Sequence, residues 1–411
     1  MLRHPLMLIS PHNSILKMKF RIIVIFCSSL LSLFAQSSEK NKPWSERIAR
    51  SFIAQHPDSI VYADEEKSKR WNYEQGLMLE AFYAMWKHSG NDEYKSYIKK
   101  NLDHYVNEDG SINTYKLTEF NIDNVAQGKI LVRADEIFHD SKYRRAADTI
   151  RRQLSLHPRT TEGGFWHKKI YPNQMWLDGL YMGEPFYTIY SSEYNDTAAF
   201  DDIANQFFLI AKHSYDKRTG LYFHAWDESK QMAWADKTTG CSPNLWGRAI
   251  GWYAMALVDV LDYFPESHPK RKELISIFVN LMKNVLLQRD ASSKVWYQIV
   301  DKQNALGNYR ESSASSMFVY AFAKGVNKGY LPKEYSIVAK ESFDGLIKQF
   351  VTVNDRGEIF LNDVCKVAGL GGTPYRDGSY EYYIGEPRRT NDFKGYGPFF
   401  LASIEVEKLR N

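Results

Sequence analysis

The sequence predicts an all-α protein, more specifically an (α/α)6 barrel formed by one domain. Apolar residues recur with helical spacing along most of the chain. Twelve helices can be placed in this way, enough for six helical hairpins. No linker rich in Pro, Gly or Ser divides them, which favours a single domain. With 411 residues, 44% of them hydrophobic, the chain has enough apolar material for a large core.

Two segments show the helical period clearly. From Leu77 to Trp86 apolar residues fall at i, i+1, i+4, i+5, i+8 and i+9, and from Ala249 to Val260 at i, i+3, i+4, i+7, i+8 and i+11. Strand-like alternation is confined to 293–300 and 350–360, which predicts short strands or hairpin arms there. The predicted helices span residues 44–55, 71–88, 92–105, 121–138, 142–156, 175–191, 197–214, 246–264, 269–288, 311–327, 333–350 and 392–408.

Every second helix opens with a cluster of aromatic and polar residues. The clusters are Trp71-Asn-Tyr-Glu, Phe120-Asn-Ile-Asp123, Met175-Trp-Leu-Asp178, Leu245-Trp-Gly-Arg248, Tyr309-Arg-Glu-Ser312 and Asn391-Asp-Phe-Lys394. In an up-down ring of hairpins, these clusters meet at one mouth. Asp123, Asp178 and Ser312 would each also serve as an ordinary N-cap or first-turn residue of a helix. Capping does not require an aromatic ring, however, and aromatic faces beside polar groups favour a carbohydrate site.

The charge distribution argues against nucleic acid as a partner. The formal net charge is +4, with 53 basic and 49 acidic residues. Residues 1–35 hold four of the basic residues and no acid. The remaining 49 basic side chains therefore balance the 49 acidic ones, which leaves no global basic field.

The N-terminal segment has the features of a secretion signal. Met18 is the predicted start, followed by two basic residues, an apolar run over 22–34 and the small Ala35. We therefore expect residues 1–35 to be removed, and the catalytic domain, 36–411, to be periplasmic or secreted. An uncleaved membrane anchor is the alternative; Cys27 as a lipid anchor is disfavoured by the bulky residue before it. No later run is apolar enough to span a membrane.

The mature chain would keep two cysteines, Cys241 and Cys365. In an oxidising compartment these can form one disulfide or remain two free thiols, and their spacing does not decide between the two.

Several kinds of chemistry find no support in the motifs. The Gly369–Gly372 run lacks the Lys-Ser/Thr of a phosphate-binding loop, and no G-x-S-x-G sequence occurs. His224-Ala-Trp-Asp227 does not have the spacing of a metal-ligand pair. No metal or organic cofactor is therefore predicted. Carboxylate chemistry remains, with Asp123 and Asp178 as the candidate pair.

Several motifs, taken in their order along the chain, resemble those of the unsaturated rhamnogalacturonyl hydrolases of glycoside hydrolase family 105. These enzymes are related to the unsaturated glucuronyl hydrolases. The resemblance runs from Trp44 to the C-terminus, and the family's (α/α)6 fold agrees with the helix count. The motifs are Trp71-Asn-Tyr-Glu-Gln-Gly, Trp176-Leu-Asp-Gly-Leu-Tyr-Met-Gly, His224-Ala-Trp-Asp, Trp246-Gly-Arg-Ala-Ile-Gly-Trp252, Glu311-Ser-Ser-Ala-Ser and Asp377-Gly-Ser with Lys394-Gly-Tyr-Gly-Pro-Phe.

The resemblance implies a reaction on the 4,5-unsaturated uronic acid that polysaccharide lyases leave at the non-reducing end. Asp178 would donate a proton to C4 and direct the water that adds at C5, after which the hemiketal opens and the glycosidic bond is lost. One carboxyl can act first as acid and then as base. It must then hold a proton near working pH, so we expect an aromatic wall or Asp123 to raise the pKa of Asp178.

The resemblance also assigns roles to other positions. Asp123 matches the second acidic residue, beside the unsaturated ring. Arg248 is a plausible partner for the uronate carboxylate, whereas Trp252 also lies on an apolar helix face and can be core. Ile250 departs from the usual small or polar residue, and Pro185 predicts a kinked or shortened helix. The substrate contacts implied are Lys168, Trp176, His224, Arg248 and Trp252, with Tyr73, Gly371 and Gly372 matched by neighbourhood alone.

Three alternative functions stay open at the level of sequence. The chain can act on glycosaminoglycan or ulvan fragments as an unsaturated glucuronyl hydrolase. It can be a catalytically silent glycan-binding protein, although the retention of Asp178 favours an enzyme. It can be an inverting glycosidase, which needs two carboxylates about 6.5–9.5 Å apart. We expect a monomer or a weak oligomer whose partner is an unsaturated uronyl oligosaccharide.

Overall fold

The computed structural model describes residues 41–62 and 64–409. The predicted signal segment, with Met18 and Cys27, lies outside the described residues. Within them, no helix is long and apolar enough to cross a membrane.

Six helices form an inner ring and six pack around it, which confirms the predicted (α/α)6 barrel. The outer helices are α1 (Trp44–Gln55), α3 (Asp92–Asp103), α5 (Ser141–Leu156), α7 (Ala199–His213), α9 (Arg271–Leu287) and α11 (Tyr335–Phe350). The inner helices are α2 (Tyr73–Ser89), α4 (Gly128–Phe138), α6 (Leu177–Glu193), α8 (Gly247–Val260), α10 (Ser312–Asn327) and α13 (Phe393–Lys408). A short helix, α12 (Tyr380–Gly385), precedes the last of these.

The inner ring is closed by its last member. Each inner helix contacts the next one in the series, and α13 contacts both α10 and α2. Beside this junction, Ser45 at the start of α1 donates from its backbone N–H and its hydroxyl to the Glu407 carboxylate, at 3.0 and 2.6 Å. The two ends of the described chain are thus held side by side.

The inner helices begin in two different ways. Asn72, Glu311 and Asp392 each cap a helix by accepting a backbone N–H, for α2, α10 and α13. The residues before α6 and α8, Trp176 and Trp246, make no capping hydrogen bond. Asp178 is thus not the cap of α6 but lies in its first turn, where a carboxylate is favoured by the helix dipole.

Short strands and 3₁₀ turns connect the helices at the mouth. The 3₁₀ turns are Glu66–Lys69, Leu117–Glu119 and Ile122–Val125. The strands are β1 (Gln174–Trp176), β2 (Tyr215–Asp216), β3 (Leu221–Tyr222), β4 (Ala225–Asp227), β5 (Val351–Val353), β6 (Ile359–Leu361), β7 (Val364–Cys365) and β8 (Arg388–Arg389). They pair antiparallel as β1–β4, β2–β3, β5–β6 and β7–β8.

The structure corrects three local predictions. The hairpin β5–β6 confirms strands within 350–360, whereas 293–300 contributes only isolated bridges. The helix predicted over 121–138 is interrupted, because Ile122–Val125 is a 3₁₀ turn and α4 starts at Gly128. Helix α6 runs through Pro185 to Glu193, so the proline does not shorten it. Cys241 and Cys365 are both buried and are free thiols, so they do not form a disulfide with each other.

Candidate active site

Asp178 and His224 face each other at the mouth of the barrel. Asp178 Oδ2 lies 3.0 Å from His224 Nε2, and the side chains are 14% and 0% exposed. Both atoms are buried, and no other polar group of the described residues lies in hydrogen-bond contact with either of them. Buried polar atoms of this kind are normally satisfied, so the pair is poised to engage a bound molecule.

His224 is held in place from three sides. Its Nδ1 lies 2.6 Å from the hydroxyl of Tyr383, which comes from the short helix α12. Its ring packs against Trp246, with centroids 4.8 Å apart, and edge-on to Trp176 at 5.3 Å. Nδ1 thus has the Tyr383 hydroxyl as its hydrogen-bond partner, and Nε2 is the ring nitrogen that faces Asp178.

The backbone ties His224 to the start of α6. The N–H of Leu177 donates to the His224 carbonyl at 2.9 Å, and β4, which follows His224, pairs with β1. Asp178 and His224 are therefore positioned by the same hydrogen-bonded unit.

Asp123 lies in the 3₁₀ turn before α4 and is paired with a cation. Lys168 Nζ is 2.5 Å from its Oδ2, and His167 Nε2 is 3.6 Å from its Oδ1. Burial lowers the pKa of His167 to about 4, so this ring is neutral at neutral pH; Asp123 and Asp178 oppose the shift. His167 is thus within electrostatic reach of both carboxylates. The sequence alone assigned no role to His167.

An aromatic wall borders the carboxylates on one side. Trp176 stacks on His167 and on Tyr171, with ring centroids 4.3 and 5.1 Å apart. The Tyr171 hydroxyl accepts from Arg376 at 2.9 Å, and Arg376 also donates to the Gly371 carbonyl at 2.8 Å. The wall is thereby connected to the glycine loop.

The glycine loop lies at the edge of this wall. Gly371 and Gly372 have φ of 65° and 82°, a conformation that L side chains rarely adopt. A Cβ on Gly371 would lie 3.3 Å from Met232 and 3.9 Å from the Trp234 indole nitrogen. The structure therefore brings both loop glycines close to the site that they were matched to by neighbourhood.

Arg248 and Trp252 are more deeply buried than the two carboxylates, whereas Tyr73 is half-buried. Arg248 is 1% exposed, donates from Nε to the Ser313 hydroxyl at 2.8 Å, and binds the Cys365 carbonyl through Nη2.

Trp252 is 1% exposed and stacks on Tyr181 at 4.6 Å, and Tyr73 meets Trp252 edge-on at 6.4 Å. Substrate contact by Tyr73, Arg248 and Trp252 stays a prediction.

The expected rise in the pKa of Asp178 is wrong for the empty site. Burial raises the pKa of Asp178, but the charge and proximity of His224 lower it, and His167 adds to this. The balance leaves the pKa below its ordinary value of 3.8. Asp178 is therefore ionised in the empty site at neutral pH, and an acid role requires that binding of the substrate raise its pKa.

Tyr383 is the main residue of this site that sequence reasoning missed. We expect Tyr383→Phe to lower kcat about tenfold, because it leaves the buried Nδ1 of His224 unpaired and the ring less firmly held. KM should change much less. Tyr382→Phe is the matched control, since the Tyr382 hydroxyl accepts from the Gly369 N–H instead. Equal kinetics of the two variants would show that Tyr383 does not position His224.

Comparison with known proteins assigns the family. A model described as Glycosyl Hydrolase Family 88 matches residues 44–410. A solved family 105 glycoside hydrolase from C. acetobutylicum ATCC 824 is 46% identical, with a TM-score of 0.86, over 89% of this chain and 100% of that one. The chain belongs to the glycoside hydrolases of families 88 and 105.

Two curated relatives of this glycoside hydrolase cover part of its length. Protein Atu3128 of Agrobacterium fabrum (strain C58 / ATCC 33970) is 35% identical over 230 residues, which is 54% of this chain and 97% of the relative. The unsaturated rhamnogalacturonyl hydrolase YesR of Bacillus subtilis (strain 168) is 26% identical over 265 residues, 63% of this chain and 72% of the relative.

The site of this glycoside hydrolase is built from carboxylates, imidazoles and aromatic rings. Among residues 41–62 and 64–409, no group of three or more His, Cys, Asp or Glu side chains is arranged to hold a metal ion. The arrangement can supply a proton donor, a base and a stacking surface for a sugar ring.

Proposed function

We propose that this glycoside hydrolase removes a 4,5-unsaturated uronic acid from the non-reducing end of short, lyase-generated rhamnogalacturonan fragments. The observation that carries the proposal is the buried Asp178–His224 pair, whose facing atoms lie 3.0 Å apart at the mouth of the barrel. The named activity of the relative YesR and the family 105 likeness support this substrate class.

In the proposed reaction, Asp178 hydrates the C4=C5 bond. The protonated carboxyl of Asp178 gives its proton to C4, and the positive charge develops at C5 and the ring oxygen. Water adds at C5 and returns a proton to Asp178, which restores the acid. The hemiketal then opens as the bond from C5 to the ring oxygen breaks, which leaves a ketone at C5 and a hemiacetal at C1. The hemiacetal collapses to an aldehyde, its C1–O bond to the next sugar breaks, and that sugar leaves as an alcohol.

The neighbouring side chains position these steps. His224 faces Asp178 and is held by Tyr383, so it keeps the carboxyl pointed at one place. Asp123 stays paired with Lys168, which places a cation beside the ring and close to where the uronate carboxylate enters. Trp176 offers the stacking face on the side of the leaving sugar.

The low pKa of Asp178 in the empty site predicts a separation of two pH profiles. Because Asp178 acts as an acid, kcat/KM falls as the pH rises through its pKa in the free enzyme, and kcat falls through its pKa in the complex. Bound substrate excludes water and adds its own carboxylate, both of which raise the pKa. We expect the alkaline limb of kcat/KM to begin at a lower pH than that of kcat. Coincident limbs in steady-state profiles would contradict this.

The experiment that tests the proposed function compares an unsaturated disaccharide with its saturated analogue. The saturated sugar has no enol ether for Asp178 to protonate, so it should bind without being cut. With the unsaturated sugar, the ultraviolet absorbance of the double bond should fall in step with release of the reducing sugar. Cleavage of the saturated analogue at a similar rate, or release with the absorbance unchanged, would favour a two-carboxylate glycosidase using Asp123 and Asp178.

A substrate panel tests the finer assignment. We expect unsaturated galacturonyl-rhamnose to give a higher kcat/KM than unsaturated uronyl-glucosamine or an ulvan disaccharide. The reverse order would make the protein an unsaturated glucuronyl hydrolase of the alternative class. We also propose that the protein is exported; fractionation of cells that express the full chain, with N-terminal sequencing of the product, tests this and the cleavage after Ala35.

A further inference from the structure

The barrel contains a second cavity, of about 330 Å³, at the end opposite Asp178. All six inner helices contribute to its lining, mostly with their later turns or the residues that follow them, whereas Lys129 and Tyr181 come from the first two turns of α4 and α6. Lys87 near the end of α2, Asp262 just after α8 and Lys408 at the end of α13 are examples. Asp178 lies in the first turn of α6, so the two sites open toward opposite ends of the ring. We call this second space the far cavity.

Every carboxylate of the far cavity is already paired. The pairs are Arg133–Glu80 at 3.0 Å, Lys324–Asp259 at 2.6 Å, Lys324–Asp262 at 2.7 Å, Lys328–Asp262 at 3.1 Å and Lys408–Glu405 at 2.6 Å. The negative charge that lines the cavity is therefore neutralised by these bases.

Lys129 has no such partner. Its side chain lines the far cavity, is 4% exposed, and has its ammonium 4.0 Å above the ring centroid of Tyr181. Among the residues that the structure describes, it makes no ion pair or hydrogen bond. The Tyr181 hydroxyl beside it is buried and also without a partner. Buried charges and hydroxyls are normally paired, so an ammonium and a hydroxyl left open to one cavity point to an anion.

The remaining lining matches a hydroxylated molecule better than a bare ion. Tyr83, Tyr181 and Tyr320 also line the cavity, and Lys129 and Arg133 lie over the rings of Tyr181 and Tyr83, at 4.0 and 4.2 Å from the ring centroids. The paired carboxylates keep free lone pairs that can accept hydroxyl donors. The volume suits a single sugar ring.

We propose that the far cavity binds a monocarboxylate sugar acid, with its carboxylate held by the Lys129 ammonium and the Tyr181 hydroxyl. The far cavity opens at the end opposite Asp178, and Tyr181, which lines it, stacks on Trp252 with ring centroids 4.6 Å apart. Burial lowers the pKa of Lys129 in the empty cavity, although the charges of Glu80 and Asp259 raise it in part, and a bound carboxylate would raise it further.

Isothermal titration of the full protein with sodium D-glucuronate tests the proposal. We expect Lys129→Met to weaken binding at least tenfold, and Lys348→Met, which removes an exposed charge on α11, to leave it unchanged. D-glucose should give no binding, and sodium acetate should bind at least tenfold more weakly than glucuronate. Turnover of the unsaturated disaccharide by Lys129→Met should stay within twofold of wild type, so this result is independent of the proposed function.

The outcomes that overturn the proposal are equally specific. Absence of binding to the wild type, or equal binding by Lys129→Met, would show that glucuronate does not use the far cavity. Acetate as tight as glucuronate, or glucose binding as well, would refute a sugar acid as the ligand class. If Lys129→Met does not fold, Tyr181→Phe tests the proposal in its place. This variant removes the hydroxyl but keeps the ring that stacks on Trp252, and it should weaken glucuronate binding several-fold.

Discussion

Asp178→Asn is expected to lower kcat at least a thousandfold while the protein stays folded. An amide has the size of the carboxyl but no acidic proton to give to C4. A thousandfold loss corresponds to about 4 kcal/mol of transition-state stabilisation. The fold should persist because Asp178 is not the cap of α6. Initial rates on an unsaturated disaccharide, together with thermal unfolding followed by circular dichroism, measure both effects.

A matched control for this variant is Asp148→Asn on the outer helix α5. Asp148 is an exposed partner of Arg144, at 2.7 Å, and is remote from the mouth. We expect its kinetics to be unchanged and its stability to fall by less than about 1 kcal/mol. If Asp178→Asn kept a tenth of the wild-type kcat, Asp178 would not be the essential acid.

Arg248→Met is expected to lower the free energy of unfolding by about 3–5 kcal/mol, as breaking one side of a buried ion pair does. Glu311 is fully buried, and Arg248 Nη2 lies 3.6 Å from its Oε1. The Cys365 carbonyl and the Ser313 hydroxyl also lose their donor. Urea unfolding at neutral pH would show the shift as a lower midpoint with an unchanged slope.

The double variant Arg248→Met with Glu311→Gln separates charge from packing. Removing both charges should restore part of the lost stability, since the carboxylate is then no longer buried without a cation. A loss below about 1 kcal/mol in Arg248→Met would mean that the arginine is not needed for stability. In that case, a lower kcat/KM in Arg248→Lys would support its predicted contact with the uronate.

The helices were predictable from sequence because the helical spacing of apolar residues involves only near neighbours in the chain and continues over many residues. Most predicted ends lie within about two residues of the observed ones. The misplaced starts arise from distant partners: the segment before α6 begins as a strand because Trp176 pairs with Ala225. Helix α4 begins only at Gly128, where the chain packs so closely on Phe186 that a Cβ would lie 2.3 Å from its ring. Neither contact has a signal in the nearby sequence.

The candidate site was predictable in its position but less so in its inner arrangement. The aromatic and polar clusters do lie at the helix starts, and Asp123, Lys168, Trp176, Asp178 and His224 are joined there by direct contacts. The aromatic signal did not separate rings that face a ligand from rings that fill the core. The period of α8 placed Trp252 on an apolar face, and burial of the side chain agrees with that period.

Two features of the site depend on contacts between segments far apart in the chain. They are the direction of the pKa shift of Asp178 and the contact of Tyr383 with His224. His224 is 46 residues after Asp178, and Tyr383 is 159 residues after His224. Helical periodicity says nothing about contacts across such separations. The expectation of a raised pKa followed from the aromatic neighbours or the charge of Asp123, and it left out the imidazole that opposes the effect of burial.

The closure of the ring by α13 has a consequence for how the chain acquires its structure during synthesis. Five inner helices can assemble as the polypeptide emerges, but the gap between α10 and α2 is filled only by residues 393–408. Until then, the apolar sides of α2 and α10 that α13 covers stay open to water. Completion of the barrel therefore waits for the last segment of the described chain, and nascent chains arrested before residue 393 should be far more sensitive to protease than released ones.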